Sequence, residues 1–286
     1  AADGPRSPPP LFTPFESFPH GAATVPGSPS FWTRGDVGVF EVRSVKRKGT
    51  WKKAPSDFSL YEVVGADAVR SDAKISSVVD RLPPGSGFPG CVRGPAAWSP
   101  SWGVPRVVVV NAQLPNKSGN LLGKHPADDP GFSLVSYHVL SEEAAGRLAQ
   151  GSSTPGLGLW RRLVEAGASS REGPSLKAIG SIENGEAMSL PSVVTQFNAK
   201  PVLVTKSCTM QKRGMPEVLE LSFDVRQWAY VARQSLVGYR GLLKQAVVHI
   251  GYLVEGKAED ELPEQILAHF RIHFADVEQT RWIPSP

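Results

Sequence analysis

A chain of 286 residues that is 41% hydrophobic and 20% charged has the composition of a globular protein, with room for one large domain or two small ones. Its formal charge of +4 is too small a surplus to imply a nucleic-acid partner. No apolar run approaches the about 18 residues that a membrane-spanning helix needs, so any contact with a bilayer is expected to be peripheral. Cys91 and Cys208 lie far apart, with no metal-ligand spacing around either, and are expected as buried thiols. They leave the redox compartment open. The first residue is Ala, as in a processed protein or an excised region. A targeting peptide already removed, for instance one directing the chain to the chloroplast, is consistent with this start.

Residues 1–30 carry Pro5, Pro8, Pro9, Pro10, Pro14, Pro19, Pro26 and Pro29, which suppress helix and sheet and favour an extended arm. Composition alone reads this as a linker or tail. Leu11, Phe12, Phe15 and Phe18 argue instead for an arm held against its own domain or a partner. The globular domain is expected over 31–277, leaving a short tail at 278–286. Near its start, Arg43, Lys46, Arg47, Lys48, Lys52 and Lys53 surround Trp51 in an acid-free tract. Such a tract is either a solvated hairpin face or a patch for anionic lipid headgroups or an acidic protein. Residues 82–105 form a second Pro/Gly-rich stretch containing Phe88, Trp98 and Trp102. It is expected as an insertion whose aromatics pack back on the core, or as a partner-binding loop.

The run Val107–Val110 is expected as a strand buried on both faces, with GFSLVSYHVL (131–140) as its neighbour. EEAAGRLAQ, capped by Ser141, and LGLWRRLVEA read as helices. SLKAIGSI reads as a strand and LPSVVTQFN as a short helix. A hairpin is expected to turn at Arg213 and Gly214, and its second strand, Val218–Val225, alternates as if one face were buried. Apolar residues from Trp228 to Leu243 recur at helical steps, predicting a helix laid on the sheet. Ala246–Val254 reads as a strand. The acids Glu259, Asp260 and Glu261 before Pro263 predict a helix over Ile266–Phe274.

No nucleophile elbow, phosphate loop, dinucleotide fingerprint or zinc-protease motif occurs, so no enzyme is expected. His269 and His273 share a face on either a helix or a strand, but lack a third ligand and read as half-buried histidines. His125, Asp128 and Asp129 read as a solvated loop. Asp224 and His249 are polar groups on apolar strands, each expected to find a partner.

The stretches LVEGKAEDELPEQILAHFRI (253–272), TRGDVGVFEVRSVKRKGTWKKAPSDFSLYEVVGADAVRSD (33–72), VVVVNAQLP (107–115) and KPVL (200–203) resemble the C-terminal domain family of the plant Enhanced Disease Resistance 2 proteins. The resemblance implies a plant or algal domain, often placed behind membrane- and lipid-binding modules in proteins that restrain cell death. It brings no established catalytic residues. The order of elements predicts an α+β fold with a curved, mostly antiparallel sheet packed against helices, analogous to START-like helix-grip domains. The leading expectation is a non-catalytic binding module that docks on a membrane surface or holds an apolar ligand, lipid or pigment. The alternative is a structural subunit of a larger, organellar membrane complex, clasped through the arm and the tryptophan loop.

Overall fold

The structure is a computed structural model and describes residues 14, 18–21, 29–82, 86, 88–95, 97–117, 119, 130–167, 173–213 and 216–283. Its strands are β1 (Phe31–Thr33), β2 (Glu41–Arg47), β3 (Thr50–Pro55), β4 (Tyr61–Ser71), β5 (Val107–Pro115), β6 (Gly131–Leu140), β7 (Ser175–Ile182), β8 (Val202–Leu203), β9 (Cys208–Arg213), β10 (Val218–Asp224), β11 (Val247–Glu255), β12 (Ile266–His273) and β13 (Arg281–Trp282). The helices are α1 (Glu142–Ala149), α2 (Pro155–Ala166), α3 (Ser192–Thr195) and α4 (Tyr230–Gly238). One sheet runs β8-β7-β11-β12-β4-β6-β5-β10-β9, with β1 added on β12 and β13 on β4; β2 and β3 form a separate hairpin. The large sheet is strongly curled and mostly antiparallel, so the fold is the expected α+β type. Its parallel pairs are β5 with β10, and β4 with β12 and β13.

The curl is filled by α1 and α2. Ser141 caps α1, accepting the Ala144 N–H at 3.2 Å, and Thr154 does the same for α2 through Leu157. From α2, Leu157, Trp160 and Leu163 are wholly buried beside Tyr61, Val108, Val110 and Phe270. The Trp160 indole N–H donates to the Tyr61 hydroxyl at 3.0 Å, which donates to the Pro105 carbonyl at 2.7 Å. A polar contact thus fixes the deepest aromatic pair.

Three sequence expectations are corrected. Ile266–His273 is a strand, not a helix, and Glu259–Glu261 is a single 3-10 turn before it. Ala268, Phe270 and Ile272 of β12 face the main core, whereas His269, Arg271 and His273 face the other side. A strand covered on both faces has too little polar alternation to be told from a helix. Second, β10 is buried on both sides: Glu220 and Ser222 are as inaccessible as Leu219 and Leu221. Third, the helix expected from Trp228 to Leu243 is broken into α4 and a 3-10 segment over Arg240–Lys244, and no apolar residue of α4 is buried. Strands β9 and β10 pair as the expected hairpin; Gly214 at its turn lies outside the described residues.

The sheet splits where β4 and β12 diverge, since they share only the pairing of Tyr61 with Ala268. Part of the proline-rich arm is stitched in there. Phe18 bridges Ala66 of β4, His20 bridges Trp32 of β1, and the Trp32 N–H donates to the Pro19 carbonyl at 3.1 Å. Phe18 is 4% exposed and belongs to the main core. Leu11, Phe12 and Phe15 lie outside the described residues, as do His125, Asp128 and Asp129.

Candidate functional site

The β2–β3 hairpin separates the basic tract into an anchored base and a free tip. At the base, Val42 packs with Phe40, Ile179, Leu253 and Ile266. Arg43 is turned inward, donating to Glu255 at 2.6 Å and to Glu264 at 3.0 Å. Lys177 reaches the same two carboxylates at 3.2 and 3.0 Å. Glu264, 4% exposed, also accepts the N–H groups of Arg43 and Gly256. Two cations and two carboxylates with this many hydrogen bonds form a satisfied buried network, which fixes where the hairpin leaves the body. Burial works against the Arg43 charge, but Glu264 and Glu255 outweigh it and hold the guanidinium above its ordinary pKa.

Beyond this base the hairpin is exposed. Lys48 and Gly49 take positive φ values of 48° and 75°, the tight turn that a two-residue connection requires. Lys46, Arg47, Lys48, Lys52 and Lys53 are exposed, and none forms an ion pair among the described residues. Trp51 is half-buried with the Arg43 guanidinium 5.2 Å and the Lys46 ammonium 5.1 Å from its ring centre. The ring orients two of the cations. Exposed Val45 lies opposite Lys52. The sequence located this patch, but not that Arg43 belongs to its anchor or that Lys177, Glu255 and Glu264 complete it. The only sequence signal for those partners is the pair of acids flanking the turn of the LVEG to ELPEQ stretch.

The tryptophan stretch lies against the body. Phe88 meets Tyr137 edge to face at 6.0 Å, the Trp98 N–H donates to the Val104 carbonyl at 3.1 Å, and the Trp102 carbonyl accepts from Arg161 at 2.8 Å. Arg106 ties the stretch down by donating to the Pro89 and Val92 carbonyls, each at 2.8 Å. Trp102, Pro105, Arg161, Glu165 and Lys212 border an open cleft of about 580 Å³.

Two further polar clusters sit on the sheet. Glu220 accepts from the Ser77 hydroxyl and the Val78 and Val79 N–H groups at 2.9–3.0 Å. Asn111 and Gln113 donate to the Ile75 carbonyl at 3.0 and 2.6 Å. Together they clamp the loop after β4 onto the sheet, which explains the buried Asn and Gln of the VVVVNAQLP stretch. On the other cluster, His249 meets Glu183 at 2.8 Å and Arg271 meets Glu183 at 2.6 Å, while His273 meets the Thr33 hydroxyl at 3.1 Å. Asp224 pairs with Lys74 at 3.1 Å and Arg226 at 2.9 Å. Among the described residues no group of three or more His, Cys, Asp or Glu side chains is placed to hold a metal ion. No helix among them is long and apolar enough to cross a membrane. Cys91 is exposed; Cys208 is buried, which pushes its thiol up to about 12.

Compared with known proteins, residues 32–276 match the family described as Protein ENHANCED DISEASE RESISTANCE 2, C-terminal. A protein of Arabidopsis thaliana named "Protein ENHANCED DISEASE RESISTANCE 2-like" is 24% identical over 246 residues, which cover 86% of this chain and 29% of that relative. The chain therefore spans less than a third of the curated relative it matches. No solved structure matches it.

Proposed function

Because the chain belongs to the ENHANCED DISEASE RESISTANCE 2 C-terminal family, which is not an established enzyme family, we propose that it is a non-catalytic module that docks peripherally on an anionic membrane surface through the tip of the β2–β3 hairpin. The observation that carries this reading is the separation within one hairpin. Arg43 is spent on a buried ion network, whereas Lys46, Arg47, Lys48, Lys52 and Lys53 are exposed and form no ion pair among the described residues. Cations kept free of carboxylates on a rigidly based element retain their full attraction for an anionic surface. Each contributes about 1 kcal/mol near phosphatidylserine-rich lipid and loses it as salt shortens the screening length. Trp51 and Val45 supply apolar surface at the same level.

The test is co-sedimentation of the purified chain with vesicles of phosphatidylcholine alone and of phosphatidylcholine mixed with phosphatidylserine. Binding is expected only to the mixed vesicles and should fade as salt is raised. Replacing three of the five exposed tip cations together (Lys46→Glu, Arg47→Glu, Lys48→Glu) is expected to lower partitioning by roughly two orders of magnitude or more. Equal binding to both vesicle types, or an unaffected triple variant, would refute the reading.

A further inference from the structure

The two faces of the β2–β3 hairpin carry different side chains, and one of them presents an exposed hydroxyl among the cations. The strands pair Arg47 with Thr50, Lys46 with Trp51 and Val45 with Lys52. Side chains alternate along each strand, so Trp51 shares one face with Lys46 and Arg43, whose charges lie over its ring. Thr50 shares the other face with Arg47 directly opposite and Lys52 two residues on. Thr50 is exposed, and its hydroxyl has no hydrogen-bond partner among the described residues. Ser44, the other hydroxyl of the hairpin, is half-buried and donates to the Lys52 carbonyl at 3.3 Å. In the chain, Lys46, Arg47, Lys48 and Gly49 precede Thr50, Lys52 and Lys53 follow it, and no carboxylate occurs in residues 42–56.

Granted the hairpin docking proposed above, we infer that Thr50 is a phosphorylation site for a protein kinase that selects basic sequences, and that its phosphate releases the hairpin from an anionic surface. Cations close before and after a hydroxyl are the charge pattern that an acidic substrate groove binds. Such a groove takes an extended strand, and a hairpin that belongs to no larger sheet can open at its tip to supply one. The Thr50 Oγ1 attacks the γ-phosphorus of ATP, the bond from that phosphorus to the β–γ bridging oxygen breaks, ADP leaves, and the hydroxyl proton passes to the kinase's catalytic carboxylate. The added charge of about −1.5 to −2 then stands on the face of Arg47 and Lys52, whose N–H groups can donate to it. Of the five tip cations, the equivalent of about two is thereby lost to the attraction for lipid.

The test treats the purified chain and its Thr50→Val variant with ATP and the catalytic fragment of protein kinase C, which selects basic residues on both sides of the hydroxyl. Tandem mass spectrometry maps the phosphate, and partitioning onto phosphatidylserine-containing vesicles is measured before and after treatment. Valine keeps the β-branched shape of an exposed strand residue, so the variant retains the fold. The expected result is phosphate at Thr50, partitioning of the phosphorylated chain roughly thirty-fold weaker, and unaltered partitioning of treated Thr50→Val. No phosphate at Thr50, or a phosphorylated Thr50 that leaves partitioning unchanged, overturns the switch and leaves docking standing, as does an equal loss in treated Thr50→Val. An untreated chain that ignores the phosphatidylserine vesicles overturns the docking reading itself, and the switch with it.

Discussion

His138, His269 and His273 are buried on the sheet, and burial disfavours their charged forms. His138 is lowered to about 3, chiefly by burial and further by His269, and His273 to about 4, chiefly by burial and further by Arg271. In the unfolded chain an imidazole titrates near its ordinary value of about 6.5, so between that pH and the folded values the unfolded state binds more protons. The stabilisation from neutral histidines is therefore complete above about pH 6.5 and is lost as pH falls toward 4, at about 1.4 kcal/mol per pH unit each for His138 and His273, with His269 acting in the same direction. Glu183 and Glu255 extend the loss below their ordinary range. Burial raises each, but His249 and Arg271 outweigh it at Glu183, and Lys177 and Arg43 outweigh it at Glu255, leaving both lowered. Urea unfolding should show stability falling from pH 6.5 to 4, with a shallower slope in His138→Asn; an unchanged slope would contradict the assignment. The need of His249 and Asp224 for partners was legible in the sequence, and both have them. Glu220 was not. An acid alternating with leucines reads as the wet face of a strand, and only a loop folded back from residues 71–82 turns that face dry. A register clue existed, since Ser222 lies opposite Asn111 on β5, placing polar residues of two apolar strands side by side.

Among the elements, the clearest consequence belongs to the four residues from Phe18 to Gly21. They close the gap between β4 and β1, so the arm is part of the fold for at least this stretch. Phe18→Ala should cost about 3–5 kcal/mol, the usual loss for a buried phenylalanine, read as a lower urea midpoint with an unchanged slope. A cost near that of a surface substitution would mean that the arm merely rests on the sheet. Composition could not place this stitch, because its prolines favour an extended chain whether it is free or pinned. Strand β6 and helices α1 and α2 were legible from their periods and clear ends, and β5 and β11 from short, β-branched apolar runs bounded by turn residues. Strand β12 was not, since covering both faces removes the alternation that distinguishes strand from helix. The pattern behind α4 was real but misleading: its apolar residues keep helical spacing, yet none of them is buried among the described residues.

At the scale of the molecule, a net charge of +4 conceals an uneven arrangement. The body holds one group of acids and bases in a satisfied, largely buried network, at Arg43, Lys177, Glu255 and Glu264, while the hairpin tip gathers cations that pair with no carboxylate among the described residues. The ion network at its base fixes where the basic hairpin leaves the body. Family membership covers residues 32–276 and agrees with the stretches that carried the resemblance. Those stretches map to the sheet, the ion network and the loop clamp. The most direct test of hairpin docking is backbone hydrogen exchange with and without phosphatidylserine-containing vesicles. The hairpin account predicts added protection confined to residues 44–53, with 227–244 unchanged. Protection absent from the hairpin, or centred on α4, would contradict it.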